Sequence, residues 1–213
     1  MIHINHKWPI RLLAIAGIIG PIAFWLISSL LAASQPGYSS ITHTLSKLVF
    51  VPGGWVQIIG FCLLGYLVIL FAGGLYSGVE AKPGLKLGIL AIFLIGLGVL
   101  FVGLFPTDLI DGTFSLRGTI HLDAAKSVGA LFPIACFLVV PSLRQDRRWR
   151  GFDMFTVASG ALVLILSVFW VSVSSHWGIA DLVGLYERLY FGVAILWVEV
   201  MSVRLLVLPA LRR

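Results

Sequence analysis

The chain has 213 residues, of which 59% are hydrophobic and 11% charged, and its mean hydropathy is +1.04. A soluble domain carries charge on about a quarter of its residues, so this composition leaves too few polar side chains to cover a globule in water. Most of the surface is therefore expected to face lipid. The formal net charge is +6. Its distribution along the chain, described below, indicates membrane topology and argues against a nucleic-acid site.

Six apolar segments are each long enough to cross the roughly 30 Å hydrocarbon layer as a helix of about 20 residues. We expect them at residues 12–33, 55–76, 85–105, 121–143, 154–175 and 189–208. The segments lack the alternation of a membrane barrel, and a helix satisfies its own backbone amides inside lipid. The sequence therefore predicts an all-α fold, a six-helix transmembrane bundle that forms a single integral membrane domain over residues 1–213.

The connection between the first two spans contains SSITHTLSKLVF, residues 39–50, which has the pattern of an amphipathic helix. Its apolar positions are Ile41, Leu45, Leu48 and Val49, and its polar positions are His43, Ser46 and Lys47. Such a helix is expected to lie in the membrane interface with its apolar side down. Its polar side then faces either water or the mouth of the bundle, and the pattern leaves both orientations open.

Basic residues are divided unequally between the two sets of span ends, with eleven on one side and four on the other. The positive-inside rule therefore places both termini in the cytoplasm of a cell (inner) membrane protein. The densest basic run, RQDRRWR at residues 144–150, is then a cytoplasmic loop near anionic lipid. The sparse side holds Lys47, Arg117, Lys126 and Arg188.

Two charged residues lie inside the fourth span. Asp123 and Lys126 are three residues apart, so they share one side of a helix and are expected to form an ion pair. Because this side of the helix carries charge, we expect it to face other protein segments or a water-filled cavity. A structural ion pair and a functional site with its charges already paired are both consistent with this spacing.

The three outer connections each contribute one histidine, namely His43, His121 and His176. Three neutral imidazoles and a water form a common catalytic zinc site, so zinc is a candidate cofactor. No H-x-x-x-H, H-E-x-x-H or C-x-x-C motif supports it. The candidate catalytic residues are Ser46, Asp108, Asp123 and Glu187, and the candidate ligand-binding residues are Arg117, Lys126 and Arg188. Ser46 lies three residues after His43, without the G-x-S-x-G elbow of a nucleophilic serine.

The leading functional hypothesis is an outward-facing polar site that binds, or binds and hydrolyses, a lipid or small amphiphile. If the protein is an enzyme, we expect a membrane hydrolase, which would be metal-dependent if the three histidines bind zinc. One alternative is a small-solute or proton-coupled transporter that uses Asp123, Lys126 and Glu199. Another alternative is an accessory or assembly subunit of a membrane complex. Membrane lipid is the expected partner in every case, and nucleic acid is not.

Five motifs keep a fixed order relative to the spans. They are PGYSSITHTLSKL, GGWVQ, GLFPTD, G-x-x-H-L-D-A-A and GLYERLYFG. With these motifs the chain resembles domain-of-unknown-function family 998, a family of prokaryotic multi-pass membrane proteins, from about Gly17 to Gly192. The resemblance implies a helical membrane fold and a shared polar face, and it implies no particular reaction.

A more distant similarity is to the membrane hydrolase superfamily of alkaline ceramidases and progestin/adiponectin-type receptors. These proteins use a serine, an aspartate and three histidines around zinc. The similarity implies such a set from Ser46, from Asp108 or Asp123, and from the three histidines named above. The paired histidines of that superfamily's last helix are absent here, and six spans replace its usual seven.

Overall fold

A computed structural model of the chain describes residues 7–80, 83–108, 115–174 and 179–208. These residues form six long α-helices and three short 3-10 helices, with no strand among them. Each long helix contains a stretch long and apolar enough to cross a membrane. The all-α, six-span prediction is confirmed. The helices are α1 (Lys7–Ala33), α2 (Trp55–Gly78), α3 (Leu85–Leu104), α4 (Leu116–Gln145), α5 (Phe152–Ser174) and α6 (Val183–Val207).

Four of the six helices begin earlier than predicted, and two of them, α4 and α6, carry candidate site residues near their starts. α4 begins at Leu116 instead of residue 121, and α6 begins at Val183 instead of residue 189. For α4 the reason is an N-cap, because the Ser115 hydroxyl accepts a hydrogen bond from the Gly118 N–H at 3.0 Å. Apolar length alone could not detect these starts, because Arg117 lies in the first turn of α4, and Glu187 and Arg188 lie in the second turn of α6. As a consequence, the polar residues near both starts are carried on rigid helix.

The helices pack in chain order, and α6 returns to contact α1 and α2, so that the bundle closes on itself. Its core is aromatic at mid-depth. Trp197 of α6 lies edge-on to Phe71 of α2 and Phe132 of α4, with ring centroids 5.9 and 5.6 Å apart. These side chains fix the spacing of three helices around the centre of the bundle.

The expected amphipathic helix between α1 and α2 forms only in part. It is a six-residue 3-10 helix, Leu45–Phe50, here named the linker helix, and the residues before it form turns. Leu45 and Leu48 are buried as predicted, but Ile41 is 51% exposed. Ser46 is buried, so its hydroxyl faces the bundle and not water. The linker helix thus packs against the end of the bundle, and it does not lie in the membrane interface as a separate amphipathic helix would.

The α1–α2 connection, the α3–α4 connection and the start of α6 lie at one end of the bundle, here named the site end. Direct hydrogen bonds join them. The Leu185 N–H donates to the Ile41 carbonyl at 2.9 Å, and Ser46 reaches α4. The predicted meeting of these outer connections is therefore present in the fold. That this end faces away from the cytoplasm stays a prediction.

Candidate functional site

The centre of the site end is a hydrogen bond between a serine and a histidine from distant parts of the chain. The Ser46 Oγ of the linker helix lies 3.0 Å from the Nε2 of His121, which is on the second turn of α4. Both side chains are buried, at 7% and 6% exposure. A buried hydroxyl beside an imidazole is the arrangement that activates a serine nucleophile.

The other ring nitrogen of His121 determines its tautomer. Nδ1 lies 3.1 Å from the carbonyl oxygen of Val102 and 3.0 Å from that of Phe105. Carbonyl oxygens only accept hydrogen bonds, so Nδ1 must carry the proton. In the neutral ring Nε2 is then an unprotonated acceptor, and it accepts the hydrogen bond of the Ser46 hydroxyl. This is the tautomer that a general base requires.

The two carbonyls are free for His121 because α3 ends there. In a continuing helix the Val102 carbonyl would accept from the N–H four residues later, but residue 106 is proline and has no N–H. Phe105 is the C-cap residue, and its own carbonyl is outside the helix ladder. The end of α3 therefore orients the imidazole with backbone acceptors in the place where hydrolase triads use a carboxylate.

Asp108 fixes the start of α4. Its carboxylate accepts from the Ser115 hydroxyl at 2.6 Å and from the Ser115 N–H at 3.2 Å. Ser115 in turn caps Gly118, where an added Cβ would collide with the Asp108 carboxylate. Asp108 thus places the first turn of α4, one turn before His121. It makes no hydrogen bond to His121, so its described role is to position the helix and not to take the third place of a triad.

Arg188 of α6 holds the turns before the linker helix. One guanidinium nitrogen donates to the carbonyls of Ser40 at 2.8 Å and His43 at 2.9 Å. The other donates to the Tyr38 hydroxyl at 2.7 Å, and the guanidinium stacks over the Tyr38 ring. The predicted ligand-binding arginine is therefore engaged within the protein.

Glu187, the neighbouring residue on α6, is the second attachment point. Its carboxylate accepts a short hydrogen bond from the backbone N–H of Leu45 at the start of the linker helix. Gly184, one turn earlier, lets the chain pass closely, because a Cβ there would collide with the His43 carbonyl. Glu187 and Arg188 together clamp residues 38–45 to α6, which places Ser46 one residue beyond the clamp.

Tyr38 completes the clamp as a neutral donor. Its hydroxyl donates to the Thr44 carbonyl at 2.8 Å. Burial raises the pKa of the Tyr38 phenol above its ordinary value, and this effect outweighs the lowering by the Arg188 guanidinium beside it. The phenol therefore keeps its proton at neutral pH and can donate and accept at once.

Three of the predicted charged site residues lie on the outside of the bundle. Asp123, Lys126 and Arg117 are all exposed along α4. The predicted Asp123–Lys126 ion pair is wrong for this structure, since the ion pairs within 4.0 Å in the described parts of the chain are Arg144–Asp153 and Arg148–Asp146. Both side chains are exposed on α4 and are not buried among the neighbouring helices. Asp123 therefore does not reach the Ser46–His121 pair as a base.

The three histidines do not form a described metal centre. His43 is exposed, and its Nδ1 accepts a hydrogen bond from the Ser39 N–H at 3.0 Å. His121 is bound at both nitrogens as described above. Within residues 7–80, 83–108, 115–174 and 179–208, no three His, Cys, Asp or Glu side chains come together as metal ligands. His176 lies outside the described residues, so the three-histidine zinc site stays a prediction.

Below the site end, the bundle contains an apolar cavity with an open mouth. It lies where α3, α4 and α6 face one another, with α1 and α2 behind it. Its accessible lining is entirely apolar and includes Val99, Val128, Phe132, Tyr190, Ala194 and Val198. Gln57, on the first turn of α2, is a separate buried polar group whose Oε1 accepts from the Ser28 hydroxyl at 3.1 Å.

Ser46 and His121 were both predicted as site residues but not as partners, and the only histidine considered beside Ser46 was set aside for lack of a supporting motif. That histidine is His43, whereas the actual partner is 75 residues away. One signal was available in GLFPTD, because Pro106 leaves the Val102 carbonyl without its helical donor. A neutral histidine on the next helix is a suitable donor for such a carbonyl. The roles of Tyr38 and of the Phe105 carbonyl had no clear signal in the sequence.

Six membrane-length helices with a polar end and an apolar interior define a multi-pass helical membrane protein. The family model described as Protein of unknown function (DUF998) matches residues 18–204. The chain belongs to this family, which confirms the resemblance seen in its five motifs. No curated protein and no solved structure gives a match. The more distant similarity to the ceramidase and receptor superfamily is not confirmed.

Proposed function

We propose that the protein is a membrane hydrolase that cleaves an ester or amide of a membrane amphiphile, with Ser46 as nucleophile and His121 as general base. The observation that carries this proposal is the hydrogen bond between Ser46 Oγ and His121 Nε2 at 3.0 Å, together with the two carbonyls that hold the proton on Nδ1. A purely structural serine would be satisfied by any acceptor. A base requires this tautomer.

The reaction follows from the arrangement of these atoms. Ser46 Oγ attacks the substrate carbonyl carbon while its proton passes to His121 Nε2. The bond to the leaving group then breaks, and His121 returns the proton to the leaving oxygen or nitrogen. Water repeats the sequence on the acyl-serine and releases the acid. His121 carries one extra proton only between each attack and the following bond cleavage, and the carbonyls of Val102 and Phe105 keep the ring in place throughout.

The location of the pair supports an amphiphilic substrate. Ser46 lies at the end of a bundle of membrane-length helices, which is where we expect a headgroup to meet its chains. The same end of the bundle carries two cationic side chains, since the Lys47 ammonium lies 3.5 Å from the Asp108 carbonyl oxygen and Arg117 is exposed at the start of α4. Both charges favour a substrate with an anionic headgroup.

The test is covalent labelling of the purified protein by a fluorophosphonate, followed by peptide mass spectrometry and a nitrophenyl ester assay. We expect one phosphonate on Ser46 and an ester hydrolysis rate that Ser46→Ala reduces at least about 100-fold. The matched control is Ser127→Ala, because Ser127 is an exposed serine on α4 and its loss should leave labelling and rate unchanged. Labelling elsewhere, or hydrolysis that survives Ser46→Ala, would overturn the proposal.

A second candidate, an accessory subunit, is favoured by the exposed polar side of α4. Asp123, Lys126 and Ser127 lie together on it, inside a helix of membrane length. Charges exposed to lipid are costly, and a partner helix would cover them. Affinity purification of the wild type and of an Asp123→Leu, Lys126→Leu double variant separates the candidates. A stoichiometric partner that only the wild type retains supports the subunit, and equal recovery of the protein alone contradicts it.

A further inference from the structure

The apolar cavity lies directly below the Ser46–His121 pair along two helices. On α4, His121, Val128 and Phe132 follow one another at intervals of seven and four residues, so they line one stripe, and all three are buried. On α3, Val102 and Val99 form the matching stripe, with Val102 at the histidine and Val99 at the cavity. Both stripes therefore run from the pair into the cavity.

The distance from the Ser46–His121 pair to the cavity suits an acyl chain and not a polar headgroup. Val128 lies seven residues beyond His121, or about 10 Å along the helix axis, and Phe132 lies about 16 Å along it. The cavity lining is entirely apolar, and cavities of this kind stay dry and take up apolar ligands. A polar substrate group at this depth would find no hydrogen-bond partner.

We infer that the cavity is an acyl-chain pocket, so that the substrate class of this site is a medium- or long-chain acyl ester or amide whose carbonyl lies at Ser46. The inference rests on the proposed function, since it names what lies on the acyl side of the bond that Ser46 attacks. The acyl chain enters the bundle, and the headgroup leaves from the site end beside Lys47 and Arg117. The protein would then select substrates by the length of the acyl chain.

The test compares nitrophenyl butyrate and nitrophenyl decanoate in the same detergent, with wild-type protein and a variant whose pocket is filled. Ala194 is a small residue of α6 that lines the cavity, so Ala194→Phe places a ring inside it. We expect wild type to prefer decanoate. Ala194→Phe should lower kcat/KM for decanoate about tenfold or more and leave butyrate hydrolysis within about twofold.

The matched control is Ala130→Phe, which adds the same ring to an exposed position of α4 and should leave both rates unchanged. A second variant, Val128→Phe, fills the cavity from the opposite wall and should repeat the shift if Ala194→Phe fails to fold. If a folded variant with a filled cavity still prefers decanoate, the acyl-chain pocket is contradicted. Ser46-dependent hydrolysis of butyrate in the same experiment would still support the proposed function. Absence of Ser46-dependent hydrolysis with either ester would overturn both.

Discussion

The His121 ring is held by two neutral carbonyls, and this choice has a chemical cost. A carboxylate partner both fixes the tautomer and stabilises the imidazolium that forms during reaction, whereas a carbonyl mainly fixes the tautomer. The Val102 and Phe105 carbonyls, at 3.1 and 3.0 Å, hold the ring in the orientation of a base. We therefore expect a slow hydrolase compared with enzymes that carry a full triad.

The two described histidines of the site end are predicted to differ sharply. His121→Ala should reduce ester hydrolysis by about 100-fold to 10,000-fold, because it removes the group that takes the Ser46 proton. His43→Ala should keep the rate within about threefold, because the His43 side chain is exposed and its imidazole accepts a hydrogen bond only from Ser39 in the same turn. Steady-state kinetics of both purified variants, with folding checked by thermal unfolding, provides the measurement.

The same pair of variants distinguishes the serine mechanism from a zinc mechanism. If His43 is a metal ligand, His43→Ala should abolish activity as completely as His121→Ala, and elemental analysis should find zinc in wild type at one equivalent. Equal loss in both variants, with metal lost in both, would replace the serine mechanism by the zinc prediction.

At the level of single residues, the sequence identified several side chains that lie together at the site end, but it did not identify the partners of these side chains. Ser46, His121, Asp108, Glu187 and Arg188 were all named, and each makes a specific contact at the site end. Their pairings depend on how helices far apart in the chain pack, and one sequence does not contain that information. Asp123 and Lys126 failed for the same reason, since helical spacing does not say which side of α4 faces its neighbours.

At the level of elements, the end of α3 is the feature on which the site depends. Pro106 stops the helix ladder and leaves the Val102 carbonyl free for His121. The clamp on α6 acts on the other partner, because Glu187 and Arg188 fix the chain that carries Ser46. The free carbonyl at the end of α3 thus positions the histidine, and the side chains of Glu187 and Arg188 near the start of α6 position the serine.

Pro106→Ala is predicted to weaken the site without disrupting the fold. An alanine N–H can bond the Val102 carbonyl and compete with His121 Nδ1, which keeps only its bond to Phe105. We expect ester hydrolysis to fall about threefold to tenfold, as for the loss of one hydrogen bond, with little change in thermal stability. The control is Pro83→Ala, which changes an exposed proline in the α2–α3 connection at the opposite end of the bundle. Equal rates in wild type and Pro106→Ala would show that the carbonyl is not needed.

The opposite end of the bundle is held by Asp146, a buried carboxylate in the connection from α4 to α5. It accepts from Arg148 Nε at 2.9 Å, from the Arg148 N–H at 3.0 Å and from the Glu80 N–H at 3.2 Å. Burial by itself raises the pKa of Asp146, but the Arg148 side chain and these N–H groups lower it below its ordinary value of 3.8. One arginine of the predicted basic loop is therefore engaged internally, while Arg147 and Arg150 are exposed.

Asp146→Ala is predicted to lower the free energy of unfolding by about 3 kcal/mol at neutral pH, because it leaves Arg148 without its buried partner. A folded-state pKa below the unfolded value makes this contribution complete above pH 3.8 and lost as the pH falls through the lowered pKa. Thermal unfolding in detergent across this pH range should therefore show wild type and variant converging in acid.

The control for Asp146 is Asp153→Ala. Its partner Arg144 is 62% exposed, so we expect a change of less than about 1 kcal/mol. A gap between wild type and Asp146→Ala that stays constant in acid would contradict the assignment of the stabilisation to the charged carboxylate.

At the scale of the whole molecule, the six spans were predictable because lipid imposes length and polarity on every crossing segment. The starts of α4 and α6 lie five and six residues before the predicted ones, because charged residues in the first two turns of each helix lower the hydropathy there. Packing order could not be derived from hydropathy either, and neither could the return of α6 to α1 and α2. The apolar cavity depends on that return, so it too was beyond the sequence.

The orientation of the bundle is a whole-molecule prediction that rests on the basic residues. With both native cysteines replaced by alanine, a cysteine at exposed Thr42 should react with a membrane-impermeant maleimide on intact cells. A cysteine at exposed Arg150, at the other end, should react only after the cells are opened. The reverse pattern would place the serine and histidine in the cytoplasm and would require a cytoplasmic substrate.

The most direct test of the whole account is the protonation of one imidazole. Nitrogen-15 NMR of histidine-labelled protein, with His121 assigned by a His121→Asn variant, reports which ring nitrogen carries the proton. We expect a protonated Nδ1 and an unprotonated Nε2 in His121, and we expect the Nε2 resonance to shift in Ser46→Ala. A protonated Nε2 that donates to Ser46 would contradict it, because such a ring cannot accept the serine proton.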